Sequence, residues 1–301
     1  MKLKNAVIPL LFGVLSSNAM AMSFSVVKKD INYSWSIDNS KFGGLKKTSE
    51  ITWKASPLVL ELSNDFSFGT VGVYFGGASS VFNDKDWCRS SNGVSCSGSS
   101  KGKIINFSND TSVEGSLKTA GLFISGELFS FKDILGLDNI SISNKTTLEM
   151  NQYTAKGLVN DLSNKEKYNK DVTANKTETY FLSSVYYLNF IENYGKFSFK
   201  LSPLLGFSDI YMIDHHVLRK DVQHLKFKIM DAGFVYGGSA EVDYKVSPKL
   251  SIVLAGEYKK YSGIVAKAVT MSGSDKEDIG VGLGSNQSIE TKLTLTAKYD
   301  F

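Results

Sequence analysis

The last residues of the chain alternate without a break. Ile289, Thr291, Leu293, Leu295, Ala297, Tyr299 and Phe301 fall on one side of an extended chain, and Glu290, Lys292, Thr294, Thr296, Lys298 and Asp300 on the other. Successive side chains of a strand point to opposite faces, so the pattern predicts a ribbon with one apolar and one polar face. The same period recurs from Met22 onward and predicts ten strands, over 24–37, 48–62, 66–82, 103–123, 140–153, 179–190, 196–213, 225–246, 250–261 and 288–301. Ser63-Asn64-Asp65, Glu192–Gly195 and Ser247–Lys249 read as short turns. The stretch Phe129–Asp138 is a longer link. Lys41–Lys47, Asp84–Lys101, Lys156–Lys176, Asp214–His224 and Val265–Gln287 read as long polar loops.

Short turns at one end and long loops at the other, with half-apolar strands between, predict an all-β, ten-stranded antiparallel transmembrane β-barrel. The apolar face meets lipid and the polar face the lumen. A soluble sandwich edge shows the same alternation, so the other end of the chain bears on the choice. There, Lys2 and Lys4 precede a short apolar stretch from Ala6 to Leu15, and Ala19-Met20-Ala21 forms an A-x-A cleavage site. This reads as a secretory signal peptide over residues 1–21, leaving 22–301 as a single barrel domain. The terminal Tyr299 and Phe301 resemble the C-terminal assembly signal of bacterial outer-membrane barrels. The expected location is therefore the outer membrane, long loops outward. Several strands exceed the roughly 9–11 residues that cross a bilayer, so the barrel should project above the outer leaflet.

Composition narrows the function. The formal charge is +4, near balance, which makes no case for a nucleic-acid partner. Proline numbers only 4, as a strand-rich chain requires. Cys88 and Cys96 lie close together in a Ser/Gly-rich loop. In an exported chain they read as one local disulfide, with two free thiols as the alternative. Trp35 and Trp53 read as anchors of an interfacial aromatic belt rather than as substrate contacts.

Two stretches carry candidate chemistry. Phe82-Asn83-Asp84-Lys85-Asp86-Trp87 ends the third strand, and Tyr211-Met212-Ile213-Asp214-His215-His216 ends the seventh. Spacing i, i+2 puts Asp84 and Asp86 on one face, and Asp214 and His216 on one face. Paired carboxylates share protons, and a histidine with its own aspartate is oriented and made more basic. Facing one another across a cleft, the pairs would activate a water for attack on an amide. Solvated loop acids are the plain alternative for Asp84 and Asp86. A metal site is a rival reading of His215, His216 and His224, but it needs three or more converging ligands. No metal is expected.

Asp84-Lys85-Asp86-Trp87 followed by Asp214-His215-His216 resembles the Asp-x-Asp-Trp and Asp-x-His motifs of the omptins, outer-membrane proteases with a ten-stranded barrel. Further stretches agree in order: Gly43-Gly44 with Ser49–Lys54, Asn106–Asp110, Tyr153–Gly157, Tyr244–Pro248, and the Lys298–Phe301 ending. The resemblance implies an endopeptidase in which Asp214 orients His216, His216 is the general base, a water lies between His216 and Asp84, and Asp86 pairs with Asp84. His215 points to the other face. The chain departs from the family where two acids hold a basic substrate residue. One position is Met212; the other lies near Trp35. With Phe82, these residues form the expected substrate pocket, altered toward apolar side chains. The family also binds lipopolysaccharide through a Tyr-x-Glu-x-Arg pattern, which Thr146–Met150 lacks. The expected partners are peptide or protein substrates at the cell surface and the outer-membrane lipid, with lipopolysaccharide as a candidate requirement and no other cofactor. The expected state is monomeric. The other readings are a proteolytically silent barrel acting as adhesin or surface binder, and a passive pore, which bulky and charged lining residues disfavour.

Overall fold

The computed structural model describes residues 21–38, 49–86, 113–156, 160–161, 166–167, 173–216, 225–272 and 279–301. The stretch before Ala21, where a signal peptide is expected, and the cysteines at 88 and 96 lie outside the described residues.

Among the described residues thirteen strands and one short helix follow in chain order. They are β1 (Ala21–Asp38), β2 (Ser49–Ala55), β3 (Leu58–Phe66), β4 (Gly69–Asp86), β5 (Val113–Ser130), α1 (Lys132–Leu135), β6 (Ile140–Lys156), β7 (Asn160–Asp161), β8 (Glu166–Lys167), β9 (Thr173–Tyr194), β10 (Phe197–His216), β11 (Leu225–Ser247), β12 (Leu250–Ser272) and β13 (Ile279–Asp300). The tiny β7 and β8 pair with each other; the rest form one antiparallel sheet. β1 pairs with β13, so the sheet closes on itself. β2 and β3 both lie between β1 and β4 and act as one wall. The result is a closed barrel of ten walls. Closure removes the unpaired edges that lipid cannot solvate.

The break between β2 and β3 is Ser56-Pro57. Proline has no N–H for the ladder. Its carbonyl instead accepts from the backbone N–H of Lys29 at 3.0 Å. Side-chain parity survives the break, because Ala55, Pro57 and Val59 are all buried.

Short turns sit at one end, as expected, but one of them is displaced. Ser63, Asn64 and Asp65 do not turn; they continue β3, and the chain reverses at Ser67-Phe68. Turn-forming residues are held in a strand here by their partners. Thr70 Oγ1 donates to Asp65 Oδ1 at 2.6 Å, and Lys298 Nζ lies 2.7 Å from Asp65 Oδ2. The turns after β9 and β11 fall where the pattern puts them, the first around Gly195 with φ of 58°, a conformation that favours glycine. The long link after β5 carries α1. At the opposite end the strands reach further into the expected loops. β10 runs to His216, β12 runs to Ser272 and β13 starts at Ile279.

The terminal alternation reads out directly. Leu293, Leu295 and Tyr299 are exposed on the outer face, while Glu290, Lys292 and Thr294 turn inward. Around the barrel the outer face carries Met22, Phe24, Phe75, Leu122, Ile124, Leu148, Leu182, Leu205, Phe207 and Leu254, all exposed. This is an apolar belt of the kind that outer-membrane barrels turn to lipid. On β1 the outward positions above Val26 change to Lys28, Asp30 and Asn32. On this wall the apolar run therefore ends there. Leu295 is flanked by Val26 and Leu254 within the belt. Leu295→Arg is expected to lower unfolding free energy by about 2–4 kcal/mol in lipid vesicles. Urea titration of the vesicle-embedded protein checks this, and an unchanged midpoint would remove Leu295 from the belt.

The tryptophans correct the sequence reading. Trp35 is 1% exposed and Trp53 fully buried, both within the lumen rather than on the lipid face. β1 crosses the belt with its even residues outward, so Tyr33 and Trp35 must point inward, and Trp53 pairs with Tyr33.

The lumen is filled in two storeys. The lower one is ionic. Lys29 Nζ lies 2.7 Å from Glu149 and 3.5 Å from Glu290. Lys292 lies 2.9 Å from Glu290 and 3.1 Å from Glu257, and Lys259 lies 3.4 Å from Glu257 and 3.5 Å from Glu290. Tyr74 donates to Glu149 at 2.6 Å and Tyr187 to Glu257 at 2.9 Å. A cavity of about 320 Å³ lies among these charges, with Lys145 and Lys200 on its lining. The upper storey is aromatic and aliphatic, built on Tyr33, Trp35, Trp53, Phe82, Tyr153 and Met212.

Candidate active site at the barrel mouth

β4 and β10 carry the two candidate stretches to the same rim. They stand apart in the ring, with β5, β6 and β9 between them. On β4, Phe82 is buried with its ring 4.4 Å from that of Trp53. The strand continues through Asp84, opposite Ile51, to Asp86, opposite Ser49. On β10, Met212 is fully buried and Asp214 follows, also fully buried. His216 ends the strand, opposite Asn175 of β9 and Leu225 of β11. The side chains of Asp84, Asp86 and His216 lie outside the described residues.

Two contacts cross the lumen, from β2 beside β4 to β9 beside β10, and from β1 to β10. Trp53 Nε1 of β2 donates to Thr177 Oγ1 of β9 at 3.2 Å. Tyr33 of β1 donates its hydroxyl hydrogen to Met212 Sδ of β10 at 3.1 Å. Burial pushes the Tyr33 phenol well above its ordinary range, so it remains a neutral donor. Thr177 in turn donates to Asp214 Oδ1 at 2.5 Å. A run of direct contacts thus leads from Phe82, two residues below Asp84, through Trp53 and Thr177 to the Asp214 carboxylate.

The three expected pocket residues converge in one cluster. Trp35, Phe82 and Met212 all belong to the upper storey. Trp35 packs on Phe227 with ring centroids 5.4 Å apart, and Phe227 sits opposite Asp214 in the β10–β11 register. Neither Trp35 nor Met212 brings a carboxylate to this cluster. Below it, Glu149 of the stretch that departs from the lipopolysaccharide pattern points inward to Lys29, while Leu148 faces outward.

Sequence reasoning missed Thr177 and Asn175, because it began that strand at Thr179. The alternation Asn175, Thr177, Thr179 has the same two-residue period as the rest of β9, and all three are buried. Extending the period downward in number would have found them. His215 is partly buried on the alternate face of β10, consistent with its separation from Asp214. Among the described residues no group of three or more His, Cys, Asp or Glu is arranged to hold a metal.

No protein-family model matches the chain, and no curated protein matches it. Solved structures do. The outer membrane protease OmpT from Escherichia coli aligns over 95% of this chain and 98% of its own, with a TM-score of 0.60 and 12% identity. The translocator domain of the autotransporter NalP from Neisseria meningitidis covers 99% and 97%, with 8% identity and a TM-score of 0.44. At this identity the first likeness establishes the barrel architecture, that of outer-membrane proteins. The second is too distant to carry an argument.

Proposed function

We propose that this chain is an outer-membrane endopeptidase of omptin type, cutting peptide bonds at the outward mouth of its barrel. The observation that carries the reading is the run of contacts from Phe82 through Trp53 and Thr177 to Asp214. It links the wall bearing Asp84 to the wall bearing Asp214 through their ladder neighbours β2 and β9, whose contact crosses the lumen beside Asp214. A substrate lying over this floor meets carboxylates from one side and an Asp–His pair from the other.

In this reading Asp214, fixed by Thr177, orients His216. His216 takes a proton from a water held between itself and Asp84, and the resulting hydroxide attacks the scissile carbonyl. Asp86 shares protons with Asp84 and steadies the tetrahedral intermediate. His216 then returns its proton to the leaving amine. The aromatic storey fills the lumen beneath the mouth, so in this reading substrate binds across the mouth rather than threading the barrel. Lipopolysaccharide is the lipid this reading expects at the outer leaflet. The lumenal ion lattice argues against a passive pore.

The substrate pocket differs from the omptin pattern. Met212 and Trp35 stand where the family has acids, and Tyr33 and Phe227 pack against them. A charge-assisted hydrogen bond contributes about 1.5–3 kcal/mol, so each missing acid removes roughly tenfold or more of any preference for Arg or Lys. The refolded protein is expected to cleave a randomised peptide library chiefly beside apolar residues. Cleavage confined to Arg or Lys would refute the altered pocket. A library left intact would refute the protease and favour the adhesin or surface-binder reading.

A further inference from the structure

We propose that Thr177 is a positioning residue for Asp214, and that the Trp53 indole, reaching across the lumen, sets the direction of its hydroxyl. The proposal rests on the protease reading above and deepens it.

The geometry leaves Thr177 one arrangement. Its hydroxyl has one hydrogen and two lone pairs. Trp53 Nε1 can only donate, so its 3.2 Å contact occupies a lone pair. Two acceptors compete for the hydrogen: Asp214 Oδ1 at 2.5 Å and Asn175 Oδ1 at 3.0 Å. The shorter contact to a charged acceptor wins. Thr177, Trp53 and Asp214 are all fully buried, so water does not compete for these bonds. The β-branched side chain of Thr177 is stiff about χ1, and its strand is paired on both sides, with Tyr153 on β6 and Asp214 on β10.

The function follows from the direction of the chain of donors. A carboxylate free to swing would offer His216 a variable partner. One oxygen held from the neighbouring strand fixes the rotation of the Asp214 carboxylate. Trp53 holds the hydroxyl from the wall that continues to Asp84's neighbour Ile51, so the two halves of the site share one support.

The test uses full-length refolded protein in lipopolysaccharide-containing vesicles, with the best library peptide as substrate. Thr177→Val removes the hydroxyl at nearly constant volume. It is expected to lower kcat about 10–100-fold, the worth of one hydrogen bond to a charged group, with KM changed less than about twofold. Thr177→Ser keeps the hydroxyl and is expected to recover most of the rate. Trp53→Phe, which keeps a ring but loses the donor, is expected to fall between. Unfolding midpoints of all variants separate misfolding from misplacement. Wild-type rates in Thr177→Val, or Thr177→Ser as impaired as Thr177→Val, would overturn the role of the hydroxyl while leaving the protease reading intact. A wild type that cuts nothing would overturn both.

Discussion

His216→Ala and Asp84→Ala are each expected to reduce peptide cleavage by about 10²–10⁴-fold, the range that a positioned proton-transfer group supplies. The reduction should fall on kcat, because neither side chain is asked to bind the remote parts of the substrate. The double variant should be little worse than either single one, since both act on the same water. The fold should not change: both residues sit at the ends of strands, above the packed storeys of the lumen. Retained heat-modifiable migration and an unchanged urea midpoint would show this. Near-normal cleavage by either variant would break the assignment of that residue, and a normal rate in both would dismantle the water-activation scheme. Asp86→Asn should be the milder change, as Asp86 assists Asp84 rather than the nucleophile.

The second large effect lies in the lower storey. Lys29 is 3% exposed and holds Glu149 and Glu290, with its ammonium 4.6 Å from the centre of the Tyr74 ring. Removing one partner of a buried ion pair leaves the other charge uncompensated, at a cost of about 3–5 kcal/mol. Lys29→Met is therefore expected to destabilise the barrel by that amount, measured by urea unfolding in vesicles. Lys29→Met combined with Glu149→Gln should regain much of the loss, because the orphaned carboxylate is gone. Full stability in Lys29→Met alone would mean the lattice contributes little. The same lattice is the physical reason to expect no conductance from this barrel.

Much of the architecture can be read from a two-residue period. β13 needed nothing else: each apolar residue from Leu293 to Tyr299 faces out and each polar one in. The turns after β9 and β11 were legible because glycine or proline sits in each. The turn after β3 was not. Asn64 and Asp65 favour turns by local chemistry, but Asp65 has a lysine from β13 as partner, and no local reading finds a partner so distant in sequence. Trp35 and Trp53 were misplaced for a different reason. A tryptophan near a membrane invites an interfacial reading, yet parity counted from Met22, Phe24 and Val26 already assigns Trp35 to the lumen. The candidate site divides in the same way. Phe82, Met212 and Asp214 follow from motif and parity. The link between Thr177 and Trp53 does not, because it depends on which walls the ring sets face to face, and that is fixed only when the barrel closes.

Closure itself has a price in time. The seam joins Ala21 to Asp300, residues from opposite ends of the chain, and the ladder between them runs the whole length of β1. No partial chain can seal it. Until the final segment is in place every earlier hairpin keeps a naked border and a greasy flank, so the sheet stays open to wrong partners for as long as its two ends are apart.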